Sequence, residues 1–121
     1  VRSAYGLRFG TSRSYSPTFM YRALESGDVD VISAFSSDGR IAADRLVVLT
    51  DPLGAAPGYD ALLLVSRAHA RDQRLVAALA PLVGAIPVAL MQQANYLVDR
   101  DEDKLSPQLA ARFLAARIGR R

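Results

Sequence analysis

The sequence predicts an α/β fold with a short, mostly parallel sheet flanked by helices. Short apolar runs, some rich in β-branched residues, are typical of strands and cover residues 29–35, 46–49 and 61–65; residues 7–14 alternate weakly between apolar and polar and are also expected to form a strand. A helical pattern separates the first two runs, so residues 7–35 are expected to form a strand–helix–strand unit with a right-handed crossover. Three helical patterns follow the last run.

Residues that favour helix ends mark where these helices begin and stop. Ser16-Pro17 combines an N-cap side chain with a proline suited to the first helical position, and Gly27 ends that helix. Ser106-Pro107 and Gly119 repeat the pattern near the carboxyl terminus. The three later helices are expected over residues 73–82, 87–98 and 107–118.

Composition narrows the class of protein. A chain of 121 residues suits one domain, and half of its residues are hydrophobic, which is enough for a core. The absence of Cys excludes disulfides and thiolate metal sites. The formal net charge is +3, but the arginines are spread along the chain, so we expect no nucleic-acid partner. Arg117, Arg120 and Arg121 stand where a helix dipole favours positive charge.

An uncharged run over residues 75–91 raises the question of a membrane span. The run is shorter than the roughly 20 residues that a span needs, and it contains Pro81 and Pro87. We therefore expect two short helices with a break between them. The sequence opens on Val1 without a signal peptide, and we expect it to be a piece of a longer protein.

The run at residues 29–35 ends in Phe35, Ser36, Ser37 and Asp38, so it delivers a ring, two hydroxyls and a carboxylate to one strand end. In α/β folds, ligands bind at such strand ends and the loops that follow them. The alternative is a core strand followed by an ordinary Asp-Gly turn.

Four co-linear motifs carry a resemblance to a known family. They are MYRALESGDVDVISAFSSDGRI at residues 20–41, LVVL at 46–49, APGY at 56–59 and MQQANY at 91–96. Together they resemble the substrate-binding proteins of ABC importers for quaternary ammonium osmoprotectants such as glycine betaine, carnitine, choline and proline betaine. The resemblance covers nearly the whole chain, and it implies part of a type II periplasmic-binding-protein fold.

The chain also departs from the family pattern. Members have two lobes, and this chain resembles only their carboxyl-terminal half. Residues 1–50 resemble the end of the second lobe, whereas residues 51–121 resemble a crossover loop, a strand and three helices of the first lobe; the alternative is one compact domain. Ala56 stands where the family has an aromatic residue, and Gly58 replaces its second Pro.

Four ligand-binding residues are predicted, two from the resemblance and two from the chemistry of the implied ligand. Phe35 and Tyr59 match positions of an aromatic cage, which holds a quaternary ammonium group by its ring faces. Ser37 and Asp38 would bind the carboxylate or hydroxyl end of the ligand. The alternatives are that Phe35 belongs to the core, that Tyr59 only fills a loop and that Asp38 caps the local backbone. Arg40 would then pair with an acidic side chain.

Patterns for other chemistry are weak, so we expect neither an enzyme nor a cofactor or metal site. His69 is the only histidine, and no Gly-x-Ser-x-Gly or phosphate-binding loop occurs. Asp99, Asp101 and Asp103 resemble the start of a calcium loop, but the later positions of that loop are not matched.

The predicted function is that of a solute-binding module of an ABC transporter, which takes up a quaternary ammonium osmoprotectant. The implied partners are the small ligand and a membrane permease, and the implied location is extracytoplasmic. We also expect a homodimer, with exchange of an element between copies as one route, because the apolar runs at residues 46–49 and 61–65 would leave uncovered faces. The alternative is a non-catalytic sensory or assembly domain that binds no small cation.

Overall fold

The structure is a computed structural model that describes residues 1–119, and it is built from helices. The predicted charges of Arg120 and Arg121 at the last helix lie outside the described residues. In chain order the helices are α1 (Arg2–Tyr5), α2 (Pro17–Glu25), α3 (Gly39–Ala43), α4 (Gln73–Leu79), a 3-10 turn (Ala80–Leu82), α5 (Val88–Asp99) and α6 (Pro107–Ile118).

The chain divides into two compact units. The first unit comprises Val1–Phe35 and Val47–Tyr59, and the second comprises Ser36–Leu46 and the chain from Asp60 onward. The first therefore holds α1 and α2, and the second holds α3 to α6. The predicted assignment of residues 1–50 and 51–121 to two lobes stays a prediction.

Helix α2 organises the first unit, and its predicted start and stop are confirmed. Ser16 has extended backbone angles and Pro17 takes the first helical position. Tyr21 and Ala23 are the buried residues of this helix. Its end is closed by Gly27, whose φ of 78° lies in the left-handed region that glycine adopts without steric cost.

The second unit contains the three helices predicted for the carboxyl-terminal part, and all three are confirmed. The carboxylate of Asp72 accepts from the backbone N–H groups of Arg74 and Leu75 at the start of α4. Ser106 caps α6 in the same way through the N–H of Leu109. None of the helices within residues 1–119 is long and apolar enough to cross a membrane.

Helix α5 is the centre of the second unit, because α3 and α6 both pack on it. Ala94 of α5 and Ala110 of α6 are buried. On the other side, a Cβ atom at Gly39 would lie 2.4 Å from the backbone nitrogen of Tyr96. Only glycine fits at that position without displacing α5.

The predicted sheet is absent from residues 1–119, and the buried central strand is a wrong prediction for these residues. Val31 is 56% exposed, Val47 86% and Leu64 88%. A strand exists only where a second extended segment accepts and donates its backbone hydrogen bonds. Here residues 47–49 belong to the first unit and residues 61–65 to the second.

Local contacts take the place of strand pairing in parts of these runs. The N–H of Val29 donates to the carbonyl of Ala23 in α2, and the N–H of Leu46 donates to the carbonyl of Ile41 in α3. Helix α3 is not among the predicted helices, because the sequence argument places only an Asp-Gly turn at its start. Both runs therefore begin at a helix end in the described chain.

Candidate functional site

The turn at residues 36–39 carries two of the four predicted site residues, and it lies in the second unit. Ser37 and Asp38 are both half-buried. Asp38 has extended backbone angles, φ −64° and ψ 127°, and immediately precedes α3. Its side chain makes no capping hydrogen bond to the first turn of that helix.

Two side-chain amides of α5 hold the main chain of this turn. Gln92 Nε2 donates to the carbonyl of Ser36 at 2.7 Å, and Asn95 Nδ2 donates to the carbonyl of Ser37 at 2.9 Å. The two amides are three residues apart, which places them on one face of the helix. The turn is thus fixed by hydrogen bonds from α5 as well as by the close packing of Gly39.

Arg40, the next residue of the chain, ties α3 to the loop between α5 and α6. Its Nη2 lies 3.0 Å from Asp101 Oδ1 and donates to the carbonyl of Asp99 at 3.4 Å. The prediction that Arg40 pairs with an acidic side chain is confirmed. Because the Asp101 side chain is largely exposed, this ion pair contributes little to stability.

The two predicted cage residues meet in the first unit. The ring centroids of Phe35 and Tyr59 are 5.4 Å apart, and the ring planes are inclined at 80°. This is the edge-to-face geometry that aromatic pairs favour. Phe35 is 58% exposed and Tyr59 75% exposed, so Phe35 does not belong to the core of the described structure.

The loop that leads to Tyr59 is organised around one carboxylate. Asp51 accepts hydrogen bonds from the Tyr5 hydroxyl and from the backbone N–H groups of Ala55 at 3.0 Å and Ala56 at 2.7 Å. The Tyr5 hydroxyl oxygen in turn accepts from the N–H of Leu53 at 3.0 Å. These hydrogen bonds join the two ends of the segment at residues 51–56 and attach the segment to Tyr5 of α1.

The same contacts shift the acid–base behaviour of both side chains. The hydrogen bond from Tyr5 and the backbone bonds from Ala56 and Ala55 lower the pKa of Asp51 below its ordinary value of 3.8. Partial desolvation and the bond to Asp51 raise the pKa of Tyr5 above its ordinary value of 10.0. The hydrogen-bonded forms, a carboxylate and a neutral phenol, are therefore favoured over a wide pH range.

The structure thus groups the predicted residues by unit: Phe35 and Tyr59 in the first, Ser37 and Asp38 in the second. The sequence argument missed the residues that hold them. Gln92 and Asn95 carry only a weak signal, because they are two of three amide side chains in α5 and Gln93 is the third. Asp51 carries a weaker one, because Asp-Pro before a glycine indicates a turn but not its hydrogen-bond partner.

A pocket of about 250 Å³ lies between α5 and α6 in the second unit. It is lined mainly by apolar side chains such as Val98 and Leu114, together with Asn95 and Asp99. None of the four predicted site residues lines it. Among residues 1–119, no group of three or more His, Cys, Asp or Glu side chains is placed to hold a metal ion.

Comparison with known proteins gives one family. Residues 1–116 match the family described as the substrate binding domain of an ABC-type glycine betaine transport system. This family implies a periplasmic-binding-protein fold, in agreement with the predicted fold family. It also confirms the predicted class of binding domain in a transport system.

Curated relatives point the same way. The chain is similar to the carnitine transport binding protein OpuCC of Listeria monocytogenes serotype 1/2a (strain 10403S) and to the OpuCC protein recorded for Listeria monocytogenes. Each is 31% identical over 97 residues, which are 79% of this chain and 32% of the relative. The match thus spans about a third of the length of these relatives. No solved structure matches the chain.

Proposed function

Because the chain belongs to the family of substrate-binding domains of ABC-type glycine betaine transport systems, we propose that it is a solute-binding module for a quaternary ammonium osmoprotectant. The ligand would be of the glycine betaine, choline or carnitine type. Binding involves no bond making or breaking. The observation that carries the proposal is the edge-to-face pair of Phe35 and Tyr59.

The chemistry of the ligand explains why such a ring pair matters. A trimethylammonium group has no N–H to donate, so it is held by aromatic faces, at about 0.5–2 kcal/mol per ring. Two ring planes inclined at 80° can form two adjoining walls around one cation. Both rings are more than half exposed, so a cation reaches them without unfolding the loop.

Ser37 and Asp38 are proposed to bind the polar end of the ligand. A hydroxyl such as that of Ser37 donates to a carboxylate, as in glycine betaine, whereas a carboxylate such as that of Asp38 accepts from a hydroxyl, as in choline. Support comes from the chemistry of the ligand's polar end and from the half-buried, hydrogen-bonded turn that carries both residues.

The remaining proposals concern the whole transporter. We propose that residues 1–50 and 51–121 contribute to the two lobes of a binding protein that closes on its ligand. The closed form would dock on a membrane permease from the extracytoplasmic side. The family membership supports this assignment, since its description is that of a transport system.

A homodimer is a further proposal, supported by exposed apolar side chains in each unit. Val47 and Leu49 are exposed in the first unit, as are Leu62 and Leu64 in the second. Surfaces of this kind recruit a partner, and a second copy is the partner available in a solution of the pure chain. Light scattering should give a dimer mass at micromolar concentration, and a persistent monomer mass would contradict it.

A second candidate function is a sensory or assembly domain of the same family that binds no small cation. It is favoured by Ala56, which stands where the family pattern has an aromatic residue and whose N–H is bound by Asp51. A cage with one ring fewer would hold a cation less tightly.

Isothermal titration calorimetry with glycine betaine, choline and carnitine tests the proposed function. We expect saturable binding of at least one of them, weakened by Phe35→Leu and unchanged by Phe19→Leu. Phe19 is the matched control, because its ring is 61% exposed in the same unit. Lack of binding to all three ligands by the unmodified chain would favour the assembly domain.

A further inference from the structure

The side-chain amides of Gln92 and Asn95 make contacts that the ligand chemistry alone does not require. Their nitrogens donate to the carbonyls of Ser36 and Ser37 at 2.7 and 2.9 Å. Both bonds end on main-chain oxygens. The two amides therefore fix the path of the turn without using the Ser37 hydroxyl as their acceptor.

The same face of α5 also limits how far the turn can move. Gly39 lies so close to Tyr96 that a Cβ atom would be 2.4 Å from the backbone nitrogen and 2.6 Å from Cα. Arg40 then reaches Asp101 and the carbonyl of Asp99 at the end of α5. Residues 36–40 are thus held along α5 from Gln92 to its carboxyl end.

We propose that Gln92 and Asn95 are positioning residues, which fix the turn so that the Ser37 hydroxyl donates to a carboxylate end of the ligand, or the Asp38 carboxylate accepts from a hydroxyl end. This inference rests on the proposed function. Hydrogen-bonding groups discriminate between ligands only when their own positions are fixed. Loss of either amide donor leaves a carbonyl of the turn without this partner and lets the turn move.

Two ligands separate the polar end from the cation. Glycine betaine carries a trimethylammonium group and a carboxylate, whereas tetramethylammonium has the cation alone. Gln92→Leu and Asn95→Leu should each weaken glycine betaine binding about tenfold and leave tetramethylammonium binding unchanged. Gln93→Leu is the matched control, because Gln93 is the exposed neighbour on α5, and it should change neither affinity.

Hydrogen exchange gives a second measurement that needs no ligand. The N–H of Ile41 donates to the carbonyl of Asp38, and the N–H of Asp44 to that of Arg40. Exchange of both amides should become about tenfold faster in Asn95→Leu and Gln92→Leu, and stay unchanged in Gln93→Leu. The N–H of Ala110, which donates to Ser106 in α6, is the internal reference.

The outcomes separate this inference from the proposed function. Equal weakening of both ligands, or of neither, would overturn the positioning role, as would unchanged exchange at Ile41 and Asp44. If the unmodified chain binds no ligand, the proposed function fails. In that case, hydrogen exchange at Ile41 and Asp44 in the two variants still decides whether Gln92 and Asn95 order the turn. Faster exchange supports this role, and unchanged exchange contradicts it.

Discussion

The turn at residues 36–39 and the loop at residues 51–59 carry the two halves of the predicted site, and they are held in different ways. The turn is fixed by neutral amides of α5 and by backbone packing at Gly39. The loop is fixed by the carboxylate of Asp51, which is exposed and titratable. Packing and neutral hydrogen bonds do not change with pH, whereas a carboxylate does.

This difference suits the turn and the loop to different roles in the proposed site. Recognition of a polar ligand end requires donors at fixed positions, which packing against a helix provides. A ring pair tolerates more movement, because the attraction of a cation to an aromatic face is less directional than a hydrogen bond. The exposed loop with Tyr59 suits the second role.

The largest expected effect comes from breaking the packing of the turn. Gly39→Ala would place a Cβ atom against the backbone of Tyr96, and we expect it to lower the free energy of unfolding by about 3 kcal/mol. Urea denaturation measures this. Gly10→Ala is the control, since nothing lies within 4 Å of a Cβ at that position. Equal stability of the two variants would show that the turn is not locked.

A smaller effect is expected from the loop. Tyr59→Ala should weaken binding of a trimethylammonium ligand by about 1–2 kcal/mol and leave the unfolding transition unchanged, because Tyr59 is exposed and its ring contacts Phe35. Calorimetry and thermal unfolding, performed on the same sample, measure both quantities. Unchanged affinity together with unchanged melting would remove Tyr59 from the site.

The ion pair of Arg40 should contribute less. Asp101→Asn is expected to lower the free energy of unfolding by about 0.5 kcal/mol at low salt, and by less at 1 M salt, because the Asp101 side chain is 65% exposed. Chemical denaturation at two salt concentrations checks it. A loss well above 1 kcal/mol would mean that the pair contributes more than an exposed ion pair ordinarily does.

The smallest effect is local and depends on pH. The pKa of Asp51 is lowered on folding, so its contribution is present above about pH 4 and is lost as the pH falls through the folded-state pKa. The pKa of Tyr5 is raised, so its contribution is present below about pH 10 and is lost as the pH rises through its folded-state value.

Nuclear magnetic resonance can follow both limits of this range. The amide signals of Ala55 and Ala56 should shift at the acidic and basic limits in step with the Tyr5 ring, and the side-chain amide signals of Gln92 and Asn95 should not follow that titration. A titration shared by both groups would mean that turn and loop respond to the same charges, which would end the distinction between them.

Helix ends were predictable from the sequence because their signals are local. Each signal acts within one helical turn, as at Ser16-Pro17, Gly27 and Ser106-Pro107. Helices α2 and α6, which these residues delimit, were confirmed. The strands were not predictable in the same way. An apolar run such as residues 61–65 becomes a strand only when a second extended segment pairs with it through backbone hydrogen bonds. The residues of the run do not determine which segment that is.

The candidate site shows the same limit. The sequence identified Phe35 and Tyr59 through the family resemblance, and the rings do meet. It did not identify the bonds from Gln92 and Asn95, because those join residues 56 and 58 positions apart in the chain. The bond between Tyr5 and Asp51 was missed for the same reason.

Comparing glycine betaine with glycine in one calorimetric titration tests the central claim most directly, because the two ligands differ only in the three methyl groups on nitrogen. A site built on aromatic faces should bind glycine betaine at least tenfold more tightly than glycine. The ammonium group of glycine would lose its N–H hydrogen bonds to water between the rings, whereas the trimethylammonium group has none to lose. Equal affinity for glycine and glycine betaine, or tighter binding of glycine, would contradict the account.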